Sequence, residues 1–158
     1  MEPKHSVSEH VARLLQGGQA FDTLEEIIAS IPADRRGAVP AGVERSAWQT
    51  LEHIRIAQRD ILDFSRNADG SYQEKRWPDD YWPTAPAPPD AGAWDRTAAA
   101  ILADRAALEA LVLDERADLF APFPWGDGQT LLREALLAAE HAAYHLGQLV
   151  MLAGLLQA

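Results

Sequence analysis

Cysteine is missing altogether from this 158-residue chain. That excludes disulfides, thiolate metal sites and a cysteine nucleophile together, and it fits a reducing, cytoplasmic setting. Long apolar runs are missing too. No stretch of about 18 apolar residues is present from which a membrane-spanning helix could be built. Positive charge is scarce: 14 Lys and Arg stand against 24 Asp and Glu, a net charge of −10. A surface of that sign repels phosphate backbones and anionic lipid, so neither nucleic acid nor membrane is expected as a partner. The opening Met-Glu-Pro-Lys-His has no basic segment followed by an apolar one, so no secretory leader is expected. No alternating pattern is long enough for a sheet, and no internal repeat recurs.

What is present points to helices. Apolar residues make up 47% of the chain and charged residues 24%, the balance of an ordinary globular protein, and the length suits one domain over residues 1–158. From about Ser6 to Ile31, Val11, Leu14, Leu15, Phe21, Leu24, Ile27 and Ile28 recur at three- and four-residue steps. Gly17-Gly18 predicts a kink or break inside that segment, and Pro32 ends it. A second helix is predicted from an N-cap at Ser46 to about Asn67, with Leu51, Ile54, Ala57 or Gln58, Ile61, Leu62 and Phe64 on its apolar side. A third covers roughly Ala91 to Arg116, and a fourth roughly Gln129 to Leu156, with Asp127 or Thr130 as its cap.

Between the second and third helices lies a segment that cannot be a regular helix, because residues 77–90 contain five prolines. A connection of about 20 residues can run back along a helix of about 30 Å, so the third helix is expected to lie parallel to the second. The expected fold is all-α, a four-helix bundle with a long crossover connection between helices 2 and 3. Trp77 and Trp82 are expected to pin the connection to the bundle.

Five histidines occur, and three sit in strongly helical contexts: His53 within LEHIRIAQ, and His141 and His145 within AAEHAAYHLGQLV. His5 and His10 are expected at the surface. His141 and His145, one turn apart, can converge on one ion, and His53 in an apolar helix needs a partner for its ring nitrogens. Three protein ligands leave an open coordination position, the arrangement of catalytic sites. The zincin motif is absent, since Ala142 stands where its glutamate base would be. On the last helix, Leu132, Leu136, Ala139, Ala143, Leu146 and Val150 read as the core face, which puts the histidine pair at its edge. Gln148 is a weak catalytic candidate for contacting a ligand at the open position. Tyr144 is another, more readily explained by packing between helices. Glu52, Glu134 and Glu140 are candidate acceptors for ring N–H groups, Glu52 and Glu140 being more readily solvated. Trp125 is a candidate pocket wall. Asp60, about 10 Å along the helix from His53, is too far to ligate.

Two of these segments carry a family resemblance. Trp48-Gln-Thr-Leu-Glu-His53, together with His141-Ala-Ala-Tyr-His145-Leu-Gly-Gln148 and the ending HLGQLVML, resembles the DinB/YfiT-like family of metal-dependent four-helix bundles, over about Ser6 to Leu156. The resemblance implies a divalent metal, zinc or nickel, on His53, His141 and His145, and a homodimer. It also implies relatives that are thiol S-transferases using bacillithiol or mycothiol, and a thiol-dependent isomerase. Two positions depart from the family pattern: Leu137 replaces a frequent histidine one turn before the pair, and Leu146 replaces a frequent arginine after it. The function this implies is a metal-dependent enzyme, a thiol S-transferase or a hydrolase, acting on a small molecule with a low-molecular-weight thiol. The alternative is a non-catalytic metal- or ligand-binding bundle, or a structural dimer.

Overall fold

The structure, a computed structural model, describes residues 3–157, with side chains described from residue 7 onward. His5 therefore lies outside the described side chains, while His10 is exposed. Among the described residues there are five α-helices and no strand: α1 (Pro3–Gln16), α2 (Leu24–Ala29), α3 (Ala47–Ser65), α4 (Ala93–Leu113) and α5 (Leu131–Gln157).

The first predicted segment is two helices rather than one. Gly17 and Gly18 both have φ of +70°, which non-glycine residues rarely adopt, so the chain turns there. It restarts at Thr23, whose side chain caps α2 in a reciprocal capping box with Glu26. Ser46 caps α3 in the same way with Gln49. At α5 the cap is Thr130, whose Oγ accepts the Arg133 N–H at 3.2 Å, while the Asp127 N–H donates to Gln129.

Two apolar clusters form the core. One joins Leu24, Ile27 and Ile31 to Leu51, Ile54, Trp94, Ile101, Leu149 and Leu152. The other joins Val11 and Leu15 to Ile61, Leu62, Leu108, Val112, Leu131 and Ala135. Cross-links between α3 and α4 advance together along both helices. Thr97 donates to Glu52, Gln58 donates to the Ile101 carbonyl, and Arg59 pairs with Asp104.

The core face of α5 differs from the expected one. Ala139 and Leu146 are buried as expected and Leu132 and Ala143 are half-buried, but Leu136 and Val150 are exposed, and the buried stripe extends instead over Leu131, Ala135, Ala138, Leu149, Leu152 and Leu156. His145 lies within that stripe, so it is a core position rather than an edge one. Nearly every position of α5 is apolar or small, so hydrophobicity alone did not single out the buried side.

Candidate metal centre

The segment at residues 71–90 docks on one polar stripe of α3. Ser46, Gln49, His53 and Asp60 are spaced by three, four and seven residues, which places them on one helical face. Each holds the segment. Ser46 Oγ donates to the Pro86 carbonyl, and Gln49 Nε2 donates to the Pro83 carbonyl at 3.0 Å. His53 Nδ1 donates to the Tyr81 carbonyl at 2.8 Å. The Tyr81 hydroxyl donates to Asp60 Oδ2 at 2.6 Å. Burial and this bond push the Tyr81 pKa up, so the phenol keeps its proton. Trp82 lies flat on His53, with ring centres 3.8 Å apart and planes within 5°. Trp82 thus pins the connection as expected, whereas Trp77 is 70% exposed at the cleft mouth.

The hydrogen bond to Tyr81 fixes the His53 tautomer. With its proton on Nδ1, the ring presents the Nε2 lone pair inward. His145 is arranged alike, since its Nδ1 donates to Gln148 Oε1 at 2.7 Å. Outward N–H groups held by a carbonyl are how metal-ligating histidines are oriented. His141 brings its Nε2 to 3.0 Å from His53 Nε2. One ligand atom from each of the three rings lies within 4.8 Å of the others. Donors of a tetrahedral ion with bonds of about 2.0–2.1 Å stand about 3.3 Å apart, so small ring movements complete the site.

The rings are also in the right charge state. His53 is 0% exposed and His145 6%. Burial is the largest cause holding His53 down to about 4, despite the opposing Tyr81 bond. Burial likewise lowers His141 to about 3, helped by the other two rings, and lowers His145 against the opposing Gln148 bond. Neutral imidazole is the form that binds metal.

A family model for the DinB superfamily matches residues 16–149, a span that contains all three histidines. The chain belongs to the DinB superfamily. No curated protein and no solved structure matches it. For this DinB-superfamily chain the triad expected from sequence is brought together.

Other candidates fall elsewhere. Gln148 uses its carbonyl oxygen on His145. Tyr144 is 66% exposed and is not packed between helices; it lies edge-on to His145 at the cleft wall. None of the three glutamates takes a histidine N–H. Glu52 bonds Arg55 and Thr97, Glu134 is buried beside Arg133, and Glu140 is exposed. Trp125 stacks on Phe123 and donates to the Phe64 carbonyl, away from the triad. The Tyr81 and Asp60 anchors escaped the sequence reading. Their signal was the polar stripe on α3, visible only once the connection is known to lie on it.

The triad forms the floor of a cleft of about 700 Å³, walled by Trp77, Trp82, Tyr144, Met151 and Leu155. That volume suits a small-molecule ligand. No described helix is long and apolar enough to cross a membrane.

Proposed function

We propose that this protein is a metal-dependent enzyme of the thiol S-transferase type that holds one divalent ion, zinc or nickel, on His53, His141 and His145 and acts on a small molecule in the cleft above them. The observation that carries the reading is the pair of outward N–H bonds, His53 to Tyr81 and His145 to Gln148, which aim two Nε2 lone pairs at the point His141 also reaches. A bound ion supplies Lewis acidity, which acidifies a thiol or water entering its open position. The chain's own residues do the rest. Tyr81 and Gln148 hold the rings, Trp82 covers His53 from water, and Trp77, Tyr144 and Met151 offer apolar and aromatic contact to the ligand body.

A thiol suits this site better than the hydrolase chemistry. Glu52, Glu134 and Glu140 are all engaged or turned away, and Glu44, the one carboxylate on the cleft lining, is not part of the cluster whose ligand atoms lie within 4.8 Å of one another, so no carboxylate base is in direct contact with the three rings. A thiol acidified by the ion needs no such base. The same absence supports the second reading, a metal- or ligand-binding bundle without turnover. We further infer a four-helix bundle of α1, α3, α4 and α5 with the Pro-rich segment as crossover, because the α3–α4 links advance together from 52–97 to 59–104. A homodimer in the cytoplasm completes the proposal, with exposed Leu136 and Val150, outside the cleft, on its apolar surface.

The test is metal analysis of untagged protein after chelation and reloading, then a screen of small thiols with model electrophiles. One ion per chain, lost in His145→Ala, together with thiol transfer above that variant's rate, supports the enzyme. One ion without turnover supports the binding bundle. No bound ion after reloading sinks both.

A further inference from the structure

Among the described residues two arginines, Arg36 and Arg45, lie over tryptophan rings without a carboxylate partner, and of the two only Arg45, an exposed residue, lines the cleft above the triad. Arg55, Arg59, Arg105 and Arg133 all pair with carboxylates. Among the described residues Arg45 has no carboxylate partner; its guanidinium instead lies over the Trp82 ring, 5.1 Å from the centroid. Trp82 in turn lies flat on His53, so imidazole, indole and guanidinium form one stack. Arg45 and the triad face the same cleft, with the guanidinium one indole away from the ring that would hold the ion.

The charge balance of the cleft points the same way. Three neutral imidazoles compensate none of a divalent ion's charge. Glu44 and Arg45 are the only formally charged side chains of the lining, and they cancel each other at most. A divalent ion on the triad would therefore give this cleft a net positive charge in a protein whose net charge is −10. An arginine held by an aromatic face, with its N–H donors free of a carboxylate, is suited to receive a planar anion in a two-pronged bond.

Building on the proposed metal centre, we propose that Arg45 is a substrate-binding residue that receives the carboxylate of a two-ended small molecule. The other end of that molecule carries the metal-binding donor. Its body is apolar and lies against Trp77, Tyr144 and Met151, the most exposed apolar and aromatic side chains of the cleft. The class is a carboxylate-bearing small molecule rather than a neutral or cationic one.

The probes are the monohydroxamates of succinic, glutaric and adipic acids, each compared with its own methyl ester. The hydroxamate supplies the metal donor, and the ester removes only the negative charge. Wild-type and Arg45→Gln proteins are loaded with cobalt(II), metal content is measured, and each probe is titrated by visible absorption. Both proteins should hold one ion, because Arg45 touches no ligand. At least one acid should bind wild type about tenfold more tightly than its ester, the effect of a partly exposed charge-assisted bond. Arg45→Gln should erase that preference and leave ester binding unchanged, and 0.5 M salt should weaken the acid alone. Full metal content with equal acid and ester affinities in wild type, or a preference that survives in Arg45→Gln, overturns the Arg45 assignment and leaves the metal centre standing. Neither protein holding cobalt overturns the metal centre and the two-ended ligand with it.

Discussion

Without an ion on its three histidines this protein should be unusually sensitive to mild acid. In the unfolded chain a histidine titrates near 6.5. In the folded, metal-free protein burial holds His53 down to about 4 and His141 to about 3. At pH 7 both states are mostly neutral at these positions. As pH falls below about 6.5 the unfolded chain takes up a proton at each histidine and the folded chain does not. Stability is therefore lost from about pH 6.5 downward, and the loss levels off once the folded rings also protonate. Between pH 7 and pH 5 the linkage costs about 2 kcal/mol for each ring. His145, lowered by the same burial, adds in the same direction. His53 and His141 together make about 4 kcal/mol, a large part of a total stability of about 5–15 kcal/mol. The assay is urea unfolding with chelator at pH 7 and pH 5, on wild type and on a His53→Asn/His141→Gln double variant. The replacement amides keep a donor near Nδ1 of residue 53 and a polar group near Nε2 of residue 141. Every other ionisable group is common to both proteins and cancels in the comparison. Wild type should lose about 4 kcal/mol more than the variant over that interval. Zinc should add stability to wild type at pH 7 and add less at pH 5, where protons compete for the same nitrogens. Equal pH slopes in the two proteins would falsify the claim that these rings are buried neutral.

Three further outcomes follow from single contacts. Gln148→Ala leaves the His145 N–H without its acceptor and should weaken zinc binding about 10–100-fold in a competition titration, with Gln148→Glu retaining most of it. Tyr81→Phe removes the hydroxyl bond to Asp60, a carboxylate whose Oδ1 is buried without a hydrogen-bond partner. It should cost about 1–3 kcal/mol in urea unfolding and weaken zinc less than Gln148→Ala does, because the carbonyl to His53 remains. Gly37→Ala would place a methyl 2.6 Å from the Ala87 Cβ and 2.8 Å from its Cα. Backbone must shift to admit it, so a loss of about 1–3 kcal/mol is expected in thermal or urea unfolding, with loosening of the Pro-rich segment visible in amide exchange.

The helices and the triad were legible in the sequence because both depend on local spacing. Ser46 marks the start of α3 as a cap, and His141 and His145 share a face by the period of the helix alone. Residues that depend on a distant segment were not legible. Nothing near Asp60 in sequence shows that Tyr81 will reach it, and Gln148 could be placed near His145 but not assigned to it. The face of α5 was legible only in part, with Ala139 and Leu146 buried as read but Leu136 and Val150 exposed, for another reason. Burial there is decided by what α3 and the first core cluster present to it, and Leu136 is as apolar as Leu149. The glutamates were candidates for the ring N–H groups because carboxylates are common acceptors, but Glu52 meets Arg55 and Thr97 first.

The Pro-rich segment explains why a carbonyl rather than a carboxylate orients His53. Five prolines in residues 77–90 remove five backbone N–H donors while leaving every carbonyl in place. Such a segment satisfies only a few of its acceptors internally, as the Tyr81 N–H does for the Pro78 carbonyl, and must find donors for the rest on whatever it covers. The stripe on α3 supplies them in register: the Ser46 hydroxyl to Pro86, the Gln49 amide to Pro83 and the His53 ring N–H to Tyr81. The ring that donates outward is obliged to turn its lone pair inward. The same bonds that dock the segment therefore select the tautomer a metal requires. A variant that keeps the three histidines but loses the docking bonds, Ser46→Ala with Gln49→Ala, should fold with a loosened segment. It should bind zinc more weakly than wild type although no metal ligand has changed. Calorimetric titration with zinc measures this directly, and unchanged affinity in a protein whose segment has demonstrably loosened would show that His53 is oriented by α3 alone.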